Sequence, residues 1–100
     1  MKHVLFVLVA LFCLLMAGCA PREVRYVVGV SQCSDDEWRE QMNKEIRREA
    51  LFYPGVKIDI RTAKDNNAQQ IADIESLIGE GVNLLIVSPN EADAITPVIE

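Results

Sequence analysis

Two short stretches of this chain gather side chains suited to a hydroxyl-rich solute. The first is Ser31-Gln32-Cys33-Ser34-Asp35-Asp36, with Trp38 two residues on. The second is Ser88-Pro89-Asn90-Glu91. Carboxylates accept hydrogen bonds, amides and hydroxyls both give and accept them, and an aromatic ring covers an apolar sugar face. The candidate ligand residues are therefore Gln32, Asp35, Asp36, Trp38 and Asn90. Each candidate also has a plainer use. Ser34 and Asp35 suit a helix cap, and so does Asn90. Trp38 is in step with Met42 and Ile46 and so fits a core stripe. Cys33 reads as a semi-buried loop thiol, and Arg47-Arg48 as a solvated helix face.

Other chemistries find less to work with. The one histidine is His3, so neither a His-based triad nor a zinc site with histidine can be assembled from the rest of the chain. The cysteines, Cys13, Cys19 and Cys33, form no CxxC pair and suggest neither a metal site nor a disulfide framework. No GxSxG elbow is present. A phosphate site needs glycine after the first strand, and the residues after Val30 contain none while carrying two carboxylates. Asp35-Asp36 could imitate the acidic pair of a phospho-receiver, but the third strand ends Val87-Ser88-Pro89, without the required aspartate. No catalytic residue, metal or cofactor is expected, and the chain is not read as an enzyme.

Charge and compartment narrow the partners. The chain carries a net charge of −5; residues 19–100 hold nine basic against fifteen acidic residues, a net of −6. That balance disfavours nucleic acid, which requires clustered positive charge. Lys2 and His3 precede 14 uncharged apolar residues, Val4 to Ala17, followed by Gly18 and Cys19. This is the layout of a secretory signal. The run is short for a span, which takes about 20 residues. Residues 1–18 are therefore read as a signal peptide and 19–23 as a linker. Leu15-Met16-Ala17-Gly18-Cys19 resembles a lipoprotein processing box, with Met16 where leucine is usual, and this would make Cys19 a lipidation site. The expected location is periplasmic, after passage across the inner membrane, with a membrane anchor through that lipid or through a later span.

The elements that must position the two polar stretches alternate. Val24 to Val30 reads as a buried strand. Ser34 and Glu37 fit a capping box, and Trp38, Met42, Ile46 and Ala50 make one stripe along the following helix, with a Glu40–Lys44 pair on its surface. Tyr53-Pro54-Gly55 ends it. Val56, Ile58 and Ile60 alternate with charged residues, as at a sheet edge. Asn66 or Asn67 caps a second helix with Ile71, Ile74, Leu77 and Ile78 inward, stopped by Gly79 to Gly81. Leu84 to Val87 reads as a central strand, and a last helix begins at Asn90 or at Thr96-Pro97. The order predicts an α/β fold with a parallel sheet, strand order 2-1-3, flanked by helices. Ligands of such sheets lie beyond the carboxyl ends of the strands, here at loops 31–37, 62–67 and 88–93. The chain breaks off where that last helix is expected, and it reads as part of something longer.

Three segments carry a family resemblance. Val28-Gly29-Val30-Ser31 with Trp38, Ile71-Ala72-Asp73-Ile74-Glu75-Ser76-Leu77-Ile78, and Val82 through Asn90 with Ala92-Asp93-Ala94 resemble the N-terminal lobe of type I periplasmic sugar-binding proteins, the ribose- and galactose-binding, LacI-like group. Gly29 to Asp36 looks most like sensor domains of hybrid two-component histidine kinases that monitor carbohydrates. The resemblance covers residues 24–100 and implies an incomplete lobe of a two-lobed sugar trap. Its first loop would offer a polar residue, Asp35 or Asp36, and an aromatic, Trp38; Glu37 departs from the aromatic or proline that many members carry. It implies the input domain of a sensor kinase that pairs as a homodimer, or else the substrate-binding lipoprotein of a sugar transporter. A truncated, interaction-only product is the third reading.

Overall fold

The computed structural model describes residues 1–16, 18 and 23–100. Helix α1, Lys2–Met16, is apolar from Val4 onward, and its side chains are exposed from Lys2 to Leu14. No helix among the described residues is long and apolar enough to cross a membrane. Cys19 and most of the expected linker lie outside the described residues.

Beyond the leader the chain runs β1 (Tyr26–Gln32), α2 (Glu37–Ala50), β2 (Val56–Thr62), α3 (Asn67–Gly79), β3 (Leu84–Ser88) and α4 (Ala92–Ile99). The strands form one parallel sheet in the order β2-β1-β3. Parallel neighbours cannot be joined by a tight turn, so each connection carries a helix. Val28, Val30 and Gln32 face α2, since Gln32 bonds to Asn43 of that helix. Gly29 and Ser31 face the other way: a Cβ on Gly29 would lie 3.2 Å from Leu77 of α3, and Ser31 bonds to Gln70 of α3. Helix α4 packs beside α3. The layers are thus α2, the sheet, then α3 with α4.

Strand β1 starts and ends two residues later than its valines suggest. Ser31 and Gln32 are consequently strand residues with no exposed surface, not loop residues. The first turn of α2 also differs. Its cap is Asp36, whose carboxylate accepts from the Arg39 backbone N–H at 3.1 Å, while the Ser34 hydroxyl donates to that same carboxylate. Ser34 therefore supports the cap rather than forming it. The expected stripe on α2 holds at Ile46 and Ala50 but is displaced by one position in its first two turns. Trp38 is 85 % exposed and Met42 40 %, and the half-buried residues are Arg39, Asn43, Ile46 and Ala50, which recur at helical spacing. Along its outer face Glu45 takes bonds from Gln41 and Arg48, in place of the expected Glu40–Lys44 pair.

Helix α3 follows its prediction more closely. Asn66 caps it by accepting from the Gln69 N–H at 2.9 Å. Ile74 and Leu77 are fully buried, but the third buried position is Gln70, and Ile78 is half exposed. The helix ends in a Schellman turn: Gly81, at φ +78°, donates to Ile78, and Val82 donates to Leu77. Asn83 then clamps β3 to β1, its backbone N–H reaching the Val27 carbonyl and its Oδ1 accepting from the Val27 N–H, both at 2.8 Å. Among the described residues strand β3 pairs with β1 alone, and no residue in it is fully buried. Helix α4 begins at Ala92, beside the earlier of the two expected starts, and contains Pro97.

Candidate functional site

Because the strands run parallel and in register, their carboxyl ends lie side by side, with Gln32 opposite both Thr62 and Ser88. The polar loops all leave from this edge. It is the part of the molecule where main-chain groups lack strand partners and side chains must replace them.

On the α2 side, Asp36 is the organising group. It accepts from the Ser34 hydroxyl, from the Arg39 N–H, and from Arg39 Nη1 at 2.6 Å. The Ser34 bond, then the Arg39 backbone N–H and then the guanidinium, hold its pKa down at about 2, against partial desolvation. Asp36 in turn raises the pKa of Arg39, with Cys33 as a further contributor. Such a carboxylate stays ionised at every physiological pH, and its lone pairs are largely committed to the protein. Asp35, next to it, is exposed, and so is Trp38. A shallow hollow lined by Glu37, Trp38 and Gln41 lies against the indole.

Gln32 forms the floor beneath this turn. Its Nε2 donates to Asn43 Oδ1 at 2.8 Å and approaches Met42 Sδ at 3.5 Å, while its buried Oε1 has no partner. The Arg39 Nε is likewise buried without one. The Cys33 thiol is free and buried, deeper than a semi-buried loop position.

On the β3 side the site is built around amides. Asn90 Nδ2 donates to Asn67 Oδ1 at 2.8 Å and to the Asp65 carbonyl at 3.4 Å. Asn90 is thus a bridge between loops, not the cap of α4, whose capping position is Glu91 without a side-chain bond. Loop 63–66 carries local strain, with Lys64 at φ 51° and Asp65 at φ 61°.

Of the five expected residues, the structure sets Asp35 and Trp38 together on an open rim at the start of α2. Asn90 lies on the loop that leaves β3. Asp36 is turned to the helix end and Gln32 is buried below. Arg39, Asn43, Asn67 and Gln70 were not foreseen. A signal existed for two of them: Arg39 lies three residues after the cap it serves, and Gln70 continues the Ile74–Leu77 stripe by one turn as a polar residue in an apolar row.

The family model described as "periplasmic binding protein domain" matches residues 27–100. Among solved structures, the fructose-binding periplasmic domain of a hybrid two-component system is 52 % identical, with a TM-score of 0.73, over 75 % of this chain and 25 % of that one. An ABC transporter solute-binding protein from Bacillus halodurans, with bound myo-inositol, is 26 % identical with a TM-score of 0.70, over 80 % of this chain and 28 % of that one. The ribose import binding protein of Bacillus subtilis is 34 % identical over 59 residues, which is 59 % of this chain and 19 % of that protein. The chain spans less than a third of the length of each. It belongs to the periplasmic binding protein domain family, an extracytoplasmic family of binding domains rather than enzymes.

Proposed function

We propose that residues 24–100 are the N-terminal part of an extracytoplasmic sugar-sensing domain, the input of a hybrid two-component sensor. The observation that carries this reading is the 52 % identity to a fructose-binding domain of such a system, about twice the identity to the transporter protein with myo-inositol. A second reading, the binding protein of a sugar transporter, is favoured by the similarity to a ribose import protein. In either case the leader through Gly18 is removed, with Cys19 as the lipid-bearing residue in the transporter reading. In the sensor reading a later span holds the domain to the membrane and a homodimer carries the signal.

Asp35, Trp38 and Asn90 are the proposed contacts. Asp35 accepts from sugar hydroxyls, the indole covers the ring, and Asn90 Oδ1 accepts from a further hydroxyl. Gln32 and Asp36 act from behind, holding the first turn of α2. A sugar that makes further contacts with a second lobe only when the lobes are closed shifts the domain toward closure, and that shift is the output. The test is calorimetric titration of D-fructose into the protein carrying the complete domain, alongside Trp38→Ala. Binding by the parent and at least a tenfold weaker Kd in the variant, equivalent to about 1.4 kcal/mol, are expected. Equal affinity in the two proteins removes Trp38 from the site. Tight binding of ribose or myo-inositol with none of D-fructose favours the transporter reading.

A further inference from the structure

Gln70 belongs to α3, on the far side of the sheet from α2, and is completely buried. Its amide joins three separate parts of the ligand edge. Nε2 donates to Ser31 Oγ at 3.1 Å, at the end of β1, and to the Ser88 carbonyl at 2.9 Å, at the end of β3. Oε1 accepts from the Asn90 N–H at 2.9 Å. The orientation of the amide is fixed by its partners, because the Ser88 carbonyl can only accept and the Asn90 N–H can only donate. Every polar atom of the side chain is used, as a fully buried amide requires.

The consequence falls on Asn90. Its main chain is held by Gln70 from below. Its Nδ2 is occupied by Asn67 and the Asp65 carbonyl. Its Oδ1 takes no donor among the described residues and remains to accept from a ligand. A loop of this kind is otherwise free to move, and an acceptor displaced by about 1 Å loses much of its value to a ligand.

We propose that Gln70 is a positioning residue for the sugar site: from behind the sheet it holds loop 88–91 so that Asn90 meets the ligand. This rests on the sugar-binding reading above. It is tested in the protein carrying the complete domain, with Gln70→Glu and Gln70→Leu, D-fructose as the probe, and two readouts. The first is the hydrogen-exchange rate of the Asn90 amide without sugar. The second is Kd from pH 5 to pH 8.

In Gln70→Leu the Asn90 amide is expected to exchange at least tenfold faster, with Leu77 and Val30 amides unchanged. In Gln70→Glu an ionised carboxylate can no longer donate to Ser31 or to the Ser88 carbonyl, so Kd is expected to weaken tenfold or more at pH 8. Burial raises the pKa of such a carboxyl, and its neutral form regains one donor. Affinity should therefore recover as the pH falls toward 5, while the parent stays flat and controls for Asp65 beside the loop. Recovery counts for positioning only where circular dichroism shows Gln70→Glu equally folded at pH 8 and pH 5, since a buried ionised carboxylate also destabilises the fold. Recovery that merely tracks the folded fraction overturns the proposal. Unchanged Asn90 exchange in folded Gln70→Leu, or a pH-independent Kd in Gln70→Glu, overturns the proposal. If the parent fails to bind D-fructose, the fructose reading fails, and the exchange arm still decides what Gln70 does. If Gln70→Leu does not fold, the Asn90 protection factor in Gln70→Glu, the intrinsic exchange rate divided by the observed rate at the same pH, gives the same decision. A lower value at pH 8 than at pH 5 supports the proposal, and equal values overturn it.

Discussion

Helices α2 and α3 flank one sheet but are attached to it differently. Helix α3 sinks Gln70, Ile74 and Leu77 completely, while α2 buries no residue at all. The row of α2 that does face the sheet is mixed: Arg39, Asn43, Ile46 and Ala50. Beneath it an apolar hollow remains between the helix and the sheet, lined among others by Val28, Ile46, Ile58, Leu84 and Ile86. The lesson is a division of labour. Helix α3 closes the core and ties the strand ends together, whereas α2 trades apolar contact for a polar first turn and an aromatic ring turned outward.

The contrast is broken most directly in the core. Leu77→Ala removes a side chain with no exposed surface that packs against Gly29, and should cost about 2–5 kcal/mol in denaturant unfolding. Met42→Ala, on the partly exposed flank of α2, should cost less than about 1 kcal/mol. Equal losses at the two sites would mean that α2 is as firmly docked as α3.

The two helix caps sharpen the comparison by pH. Asn66 is neutral, so the start of α3 does not titrate through its cap. Asp36 is ionised, with its folded pKa lowered from 3.8 to about 2 by the Ser34 bond and by Arg39. A depressed carboxylate stabilises the folded state fully above its unfolded value. That contribution is lost as pH falls from about 4 through about 2. The thermal midpoint should therefore drop over that window in the parent protein, and part of the drop should vanish in Asp36→Asn. Asp59, lowered by its bond to Arg61, contributes in the same direction, so Asp59→Asn is the needed control. A profile that does not change in Asp36→Asn would remove the cap from the acid response.

The architecture was legible because its signals are additive along the chain. Alternating Val56, Ile58 and Ile60, the Ile74–Leu77 row and the unbroken Leu84–Val87 run each specify one element. Their order specifies a parallel sheet, and the edge-like pattern of β2 beside the apolar run of β3 puts β1 in the middle. What failed did so for local physical reasons. Sequence spacing alone does not tell Ser34 from Asp36 as the cap, since serine and aspartate are both residue types that can accept from a backbone N–H. The hydroxyl of one donates to the carboxylate of the other, and that settles the roles only in three dimensions. The reach of β1 through Gln32 was hidden because serine and glutamine read as loop residues, although here they are buried with partners on two helices. Strand β3 looks central by composition, but among the described residues only β1 pairs with it, and Leu84 stays exposed beside the apolar hollow under α2. That the polar loops leave from one edge of the sheet was legible from topology. The supporting amides were not, because a buried glutamine announces itself only through the groups it satisfies.

Trp38 carries the smallest expected stability change and the sharpest reading of the two helices. Sequence spacing puts it on a row with Met42 and Ile46, and a tryptophan on a core row would cost several kcal/mol to remove. The structure leaves it 85 % exposed, one residue off the docking row, in the first turn of α2. An exposed indole keeps most of its contact with water, so Trp38→Ala should change unfolding free energy by no more than about 0.5 kcal/mol. The same substitution is expected to weaken D-fructose tenfold, and the separation of those two effects is the informative quantity. A core residue would lose stability first and affinity only as a consequence. A ring held out at a ligand edge should lose affinity alone. Since Trp38 is the single tryptophan of residues 1–100, its fluorescence in this chain reports the same point without mutation. Emission of the folded chain should lie near that of the unfolded one, and a strongly blue-shifted folded spectrum would return the indole to the core and α2 to parity with α3.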